Sequence, residues 1–565
     1  MSTSVPAVGE NAIERPEMTH RQVLEALSGL LLGMFVAMLA STVVSSSLPR
    51  IISDLHGNQA AYTWVVTATL LATTVSTPIW GKLADLTNRK LLIQLSLIVF
   101  VLGSALAGFA QDTNTLIIFR VMQGLGAGGL TSLVQVVMAD IISPRDRGRY
   151  MGLLGAVMAV ATVGGPLLGG VITDSAGWRW NFYISVPFAI IAIILLQKTL
   201  HLPKIRRKVQ IDYLGAVLIA AGVSLLLIWV TLAGNNFEWG SWETALMVSG
   251  SVVLLGLAVL VEFKVKEPII PMTLFKNRTF TLSVVASISV GVAMFGTSVF
   301  LSQYMQLARG KTPTESGLLT IPMIAGVLVA STVIGQVISR TGKWKRYMVL
   351  GSILLTIGIS LMGTLRSDTS FVLVSIYMFV MGAGIGMVMQ NLVLVVQNSV
   401  NPRQLGVASA SVAFFRSLGG TIGVSVMGAI LGTQVAQFVK DGIAGLGSAG
   451  AAAAAALNGG NIPDVATLPE PIRGIVEAAY GHAVGDIFLL AIPLAVITII
   501  AISFLPARPL GVKTAIEQLT EDGVAGTLID VTGGEVAASP LAVEEQDAEY
   551  DAANPSSEQV PGKHA

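Results

Sequence analysis

The 565-residue sequence predicts an all-α polytopic membrane protein: two six-helix bundles with two further helices between them, fourteen transmembrane helices in all. Three observations lead there. Hydrophobic residues make up 53% of the chain and charged ones only 12%, about half the charged share of a soluble domain. Apolar stretches recur along most of the length, each about 18–25 residues and long enough to cross a bilayer. A short charged loop, Gly81-Lys82-Leu83-Ala84-Asp85-Leu86-Thr87-Asn88-Arg89-Lys90, returns altered as Gly335-Gln336-Val337-Ile338-Ser339-Arg340-Thr341-Gly342-Lys343, about 254 positions later. A membrane barrel would instead show weakly alternating segments of about ten residues.

Residues 1–23 are polar and of mixed charge, so they predict a cytoplasmic lead-in and not a cleaved signal peptide. The spans then fall near 24–46, 61–80, 91–110, 115–138, 150–172 and 181–200, forming the first bundle over 24–200. A linker over 201–278 carries two more, 213–233 and 245–262. The second bundle, 279–505, holds 279–306, 317–338, 347–365, 371–396, 405–431 and 486–505, with an extracellular loop over 432–484. The tail 506–565 carries eleven carboxylates between Glu517 and Glu558 against Lys513 and Lys563, a composition that predicts disorder.

The halves share more than the loop. Gly124, Gly126 and Gly128 match Gly382, Gly384 and Gly386 at an offset of 258, and Pro144, Arg145 and Gly148 match Pro402, Arg403 and Gly406 at the same offset. Two related halves that rock about a central site describe a transporter. Twenty Lys and Arg lie in one set of loops against seven in the other, which places both termini in the cytoplasm. No cysteine is present, so disulfides and cysteine metal sites are excluded. A net charge of +1 gives no reason to expect a nucleic-acid partner; membrane lipids and small lipophilic solutes are the expected ones. An enzyme would need a nucleophile–base pair, a metal cluster or a phosphate loop. None is found, and His20, His56, His201, His482 and His564 make no ligand set. A channel would more naturally show rings of like residues from several short subunits.

At this point the chain resembles the major facilitator superfamily, and within it the fourteen-helix drug:proton antiporters, the EmrB-like and QacA-like multidrug exporters. The resemblance covers about residues 24–510. It rests on Gly81, Leu83, Asp85, Arg89 and Lys90 in the loop, with Asn88 where the family's glycine stands. It rests further on Arg120, Gln123, Gly124, Gly126 and Ala127 in span 4, on Gly165, Pro166, Gly169 and Gly170 ending span 5, and on Trp178-Arg179-Trp180-Asn181-Phe182. The resemblance implies the superfamily fold, a plasma-membrane location, and proton-driven export of lipophilic compounds by alternating access, without a cofactor. A dedicated exporter of one endogenous lipid or metabolite stays open beside it, as does, more remotely, a non-transporting sensor.

Gating residues expected on these grounds are Gly81, Asp85, Arg89, Gly165 and Pro166. Asp85 ends span 2 on the side where span 13 begins, so its carboxylate can face the positive end of that helix. Arg120 and Arg416 are guanidinium groups inside spans. Arg120 costs about 2.5–3.5 kcal/mol there and should face water or a polar partner such as Gln123. The family's acidic position in span 1 is Ala40, and none of the 33 Asp and Glu lies in a span interior. A cavity with two arginines and no carboxylate favours neutral or anionic amphiphiles over dications. Proton coupling then falls to groups near the faces, with Asp85, Asp140, Asp174 and Asp486 as candidates beside Arg120. Thr42, Ser45, Arg120, Gln123, Gln303, Tyr304, Gln306, Gln390, Asn391 and Arg416 are the expected cavity residues, since polar groups at depth are costly unless they face water, ligand or another helix.

Overall fold

The computed structural model describes all residues except 1–19, 56–58, 145–149, 201–203, 206–211, 234–236, 266–267, 312, 445–469, 471, 512–527, 530–565 and scattered positions between 151 and 174. Among the described residues, twelve helices are long and apolar enough to cross a membrane. In chain order the first bundle comprises α1 (His20–Asp54), α2 (Gln59–Leu86), α3 (Arg89–Gly108), α4 (Thr113–Ile141), α5 (helical at its described positions within 150–175) and α6 (Ser185–Thr199), the last after a single turn, Trp180–Tyr183. Then come α7 (Tyr213–Leu232) and α8 (Trp242–Glu262). The second bundle comprises α9 (Arg278–Gln303), α10 (Ile321–Thr341), α11 (Lys345–Met362), α12 (Phe371–Gln397), α13 (Leu405–Ala444) and α14 (Ile472–Ser503).

Polar side chains mark several helix starts by accepting from otherwise unpaired first-turn amides. Asn88 takes Lys90 N and Leu91 N at α3, Asp112 takes Thr115 N at α4, and Ser241 takes Thr244 N at α8. Asn88 thus does useful work where the family's glycine would stand. Gly342, at φ 68°, closes α10 in the left-handed conformation.

The repeat is built into the packing. Helix pairs α2–α4, α3–α4, α1–α6 and α3–α6 of the first bundle recur as α10–α12, α11–α12, α9–α14 and α11–α14 in the second. The matching glycines serve matching crossings: Gly124 and Gly128 bring α4 onto the backbone of α2, and Gly382 and Gly386 bring α12 onto α10. Gly126 abuts Phe100 and Ser96 of α3, as Gly384 abuts Leu355 and Gly351 of α11. Small residues let helices approach closely where the lipid supplies no hydrophobic drive to associate. The two halves meet along α2–α13 and α4–α13, and α7 lies across α2 and α13 with α8 behind it.

Two expectations change. Residues 432–444 and 472–484 of the expected external loop are helical, so α13 and α14 run well past the apolar stretch. Hydropathy marks the bilayer, not the end of a helix, and Gln437 paired with Asp441 four residues on lets α13 continue into water. The acidic tail is not wholly irregular: Leu528 and Ile529 pair antiparallel with Ile205 and Lys204. Charge is also buried at helix ends: Lys82, Arg89, Asp140, Asp212 and Glu262 are each under a tenth exposed. All five lie near helix ends on the face bearing most of the Lys and Arg, hereafter the basic face.

Candidate functional site

At the basic face α2 and α13 are clasped. Asp85 accepts from Gly406 N at 2.8 Å and Val407 N at 2.9 Å, the first turn of α13. There the helix dipole and the unpaired amides both favour an anion. The approach is close because neither chain carries a side chain at the crossing. A Cβ on Gly81 would overlap Ala410 Cβ and stand 2.8 Å from Gly406 O, and one on Gly406 would overlap Gly81 O. Arg89 supports the clasp from α3. It is 7% exposed, pairs with Asp140 of α4, lies 3.7 Å from Asp85, and donates to Ala84 O at 3.0 Å. Asp140 is therefore a buried ion-pair partner and not a solvated helix end. Burial pushes the Asp85 carboxyl, past the apolar span of α2, up to about 7, while Arg89, the Val407 and Gly406 amides and Lys82 pull it down.

Two glutamines extend the contact between halves. Gln135 of α4 donates to Gln390 Oε1 of α12 at 3.0 Å. Gln397 donates to Gln135 O at 3.3 Å and to Ser409 Oγ of α13 at 2.7 Å. Gln390 thus belongs to the closed seam, and Asn391 bonds within its own helix, to Met387 O at 2.7 Å.

The structure turns Arg120 and Gln123 into the first bundle. Arg120 Nη1 donates to Gln123 Oε1 at 2.5 Å and its Nε to Val65 O of α2 at 3.3 Å. Gln123 donates to Ser104 Oγ of α3 at 3.1 Å, and Ser104 pairs with Ser185 of α6 at 2.9 Å. Arg120 is 4% exposed and Gln123 1%. The guanidinium ties α2, α3, α4 and α6 together where it was expected to face a cavity. Span assignment alone cannot tell which face of α4 meets which neighbour.

Thr42 donates its hydroxyl to Ala161 O of α5 at 3.0 Å, and Gly165 packs directly on it. Tyr304, also expected in the cavity, is fully buried in a π-helical turn (Tyr304–Ala308), where its hydroxyl donates to Arg366 O at 2.8 Å. Gln306 sits half-buried in the same turn. Asp486 is half-buried and lies fourteen residues into α14. Ser45's side chain, Pro166 and Asp174 fall outside the described residues.

In the second bundle six buried side-chain polar atoms are left over among the described residues, on Ser283, Ser287, Gln303, Ser411, Arg416 and Gln434. Gln303 Oε1 and Arg416 Nη1 are buried with no hydrogen-bond partner among the described residues. Arg416 lies eleven residues into α13, roughly 16 Å from its start. Sequence reasoning missed one network altogether. Asn181 donates to Ser47 Oγ at 2.7 Å and Thr173 Oγ1 at 2.8 Å, joining α1, α5 and the turn before α6. The Trp-Arg-Trp-Asn motif was the available signal.

Known proteins point the same way. The family model described as Major Facilitator Superfamily matches residues 30–424. An uncharacterized MFS-type transporter of Mycobacterium tuberculosis (strain ATCC 25618 / H37Rv) is 38% identical over 493 residues, 86% of this chain and 69% of that protein. The multidrug transporter protein MdtP of Bacillus subtilis (strain 168) is 36% identical over 415 residues, 74% of this chain and 76% of that one. The fold is similar to that of the human organic anion transporter MFSD10 (TETRAN), with a TM-score of 0.55 and 14% identity over 84% of this chain and 99% of that one. At that identity the likeness is one of fold alone. Family and neighbours are transporters, not enzymes. With its paired bundles and the clasp between them, the chain belongs to the major facilitator superfamily.

Proposed function

We propose that the protein is a secondary active exporter of lipophilic and amphiphilic compounds, a multidrug-type efflux carrier. It crosses the plasma membrane fourteen times with both termini in the cytoplasm. It works by alternating access in exchange for protons and needs no cofactor. The observation that carries this reading is the clasp of Asp85 on the α13 amides. It joins two separately packed halves at the basic face through groups that can part without breaking a helix. Opening exchanges two backbone-amide hydrogen bonds and a glycine contact for water. Relatives named as multidrug transporters support the substrate class.

Neutral and anionic amphiphiles suit the site better than dications. No span interior carries a carboxylate, and the buried Nη1 of Arg416 is a donor awaiting an acceptor. Leaving such a donor unsatisfied costs about 1–3 kcal/mol, which an anionic or acceptor-bearing ligand recovers.

The test is substrate-driven pH change in proteoliposomes, with cationic and anionic amphiphiles in parallel. Substrate addition on one side should move protons the opposite way, more for the anion or its neutral analogue than for a bis-quaternary dye. A wild-type protein that transports without moving protons refutes antiport, and preference for the dication refutes the charge argument.

A further inference from the structure

The α7–α8 insertion carries a pair of buried carboxylates outside the gate. Asp212 caps α7 through Oδ1, which accepts from Gly215 N at 2.7 Å. Its other oxygen, Oδ2, is buried and has no hydrogen-bond partner among the described residues. Glu262, at the end of α8, accepts from Ile269 N and Ile270 N at 3.2 and 3.1 Å with its two oxygens. The two residues are 6% and 4% exposed. Their oxygens converge: a Cβ on Gly215 would overlap Asp212 Oδ2 and stand 3.0 Å from Glu262 Oε1.

Among the described residues, the charges around them do not balance. Lys82 of α2, 6% exposed, is the cation felt by both Glu262 and Asp85. Arg89 is taken by Asp140 and Asp85. Across α2, α3, α4, α7 and α8, four carboxylates (Asp85, Asp140, Asp212, Glu262) thus face two described cations (Lys82, Arg89). Excess buried negative charge is relieved most cheaply by a proton, because two adjacent carboxylates do not both ionise. Of the four, only the Asp212–Glu262 pair offers a place where a proton makes a hydrogen bond that is otherwise missing.

We propose that Asp212 and Glu262 form a proton-binding site, a carboxyl pair that holds one proton between Asp212 Oδ2 and Glu262 Oε1. The proton comes from water at the basic face, bonds to Glu262 Oε1, and is donated to Asp212 Oδ2, while the two Glu262 oxygens keep the Ile269 and Ile270 amides. The site holds down the irregular segment after α8, whose Ile269 and Ile270 pack with Val75 of α2, Ile219 of α7 and Phe414 of α13. Its occupancy therefore reports on the seam beside the gate. The proposal does not rest on the antiport reading and stands if transport is driven otherwise.

Infrared difference spectroscopy of the full-length protein, recorded between acid and alkaline pH, tests it. We expect one carboxylic-acid C=O band from the pair, lost in Asp212→Asn and equally lost in Glu262→Gln, and retained in Asp85→Ala. Asp212→Asn keeps the α7 cap through its carbonyl and can donate to Glu262 from its amide, so it should fold. Loss of half the signal in each single variant would mean two independent acids and overturn a shared proton. A band that survives both variants, or is lost only in Asp85→Ala, overturns the site.

Discussion

Replacing Gly81 by alanine should unfasten the gate. The new methyl would overlap Ala410 Cβ and stand 2.8 Å from Gly406 O. Non-bonded carbons rest about 3.5–4.0 Å apart, so α2 and α13 must separate by on the order of an ångström. Asp85 bonds the amides of Gly406 and Val407 at 2.8 and 2.9 Å from the next turn of α2, and that separation carries both beyond the ~3.2 Å reach of a good N–H···O bond. Overpacking of this kind costs about 1–3 kcal/mol, which lowers the closed-to-open ratio about 5–150-fold. The chain has no cysteine, so nitroxides can be placed cleanly at Leu91→Cys and Arg403→Cys, both exposed beside the clasp. Double electron–electron resonance should show the Gly81→Ala distance distribution shifted to longer values. Gly432→Ala is the control, because it lies on the same α13 and its Cβ would meet nothing within 4 Å. Both variants gain the same helix propensity, so only the clash separates them. Identical distributions in Gly81→Ala, Gly432→Ala and the parent would refute the clasp.

The same spin-label pair reads a pH dependence. In the closed gate Asp85 sits at about 7 against an ordinary 3.8, so closure takes up a proton between those values. Closure is favoured as pH falls through 7 and weakened as it rises above. Asp85→Ala should open the gate and flatten that response; an unchanged slope would assign it elsewhere. Arg120→Ala removes the donors to Gln123 Oε1 and Val65 O. At about 1–3 kcal/mol for buried groups left unpaired, it should lower the melting temperature in detergent, and an unchanged midpoint would mean the network is not structural. Arg416→Ala should weaken binding of a lipophilic anion about tenfold or more, taking about 1.5–3 kcal/mol for a charged hydrogen bond, and leave a neutral analogue unaffected. Fluorescence titration decides it, and equal losses for both ligands would remove Arg416 from charge selection.

Bilayer-scale features were legible in the chain because the solvent imposes them. Apolar runs locate the helices, and the twice-written loop and glycine triplet reveal two bundles packed alike. The place of Asp85 could be argued because a helix end is fixed by its span and the start of α13 lies on the same side. Side-chain direction was not legible. Arg120 and Gln123 face α2, α3 and α6 because of how α4 is rotated, and a hydropathy profile carries no rotation. Asp212 and Glu262 read as helix-end charges until the segment after α8 folds back onto Glu262. The overhangs of α13 and α14 were missed because amphiphilic and polar helices look like loops once the apolar run stops.

The position of α7 has a consequence for how solutes dissolved in the lipid reach the centre of the protein. Its Ile219, Val223 and Leu227 cover the line where α2 and α13 meet, so that flank is caulked against molecules diffusing sideways within a leaflet. On the export reading proposed above, a lipophilic substrate boards elsewhere around the perimeter or from the aqueous mouth. Because α7 touches one helix from each half, every rocking cycle has to drag it across at least one of them.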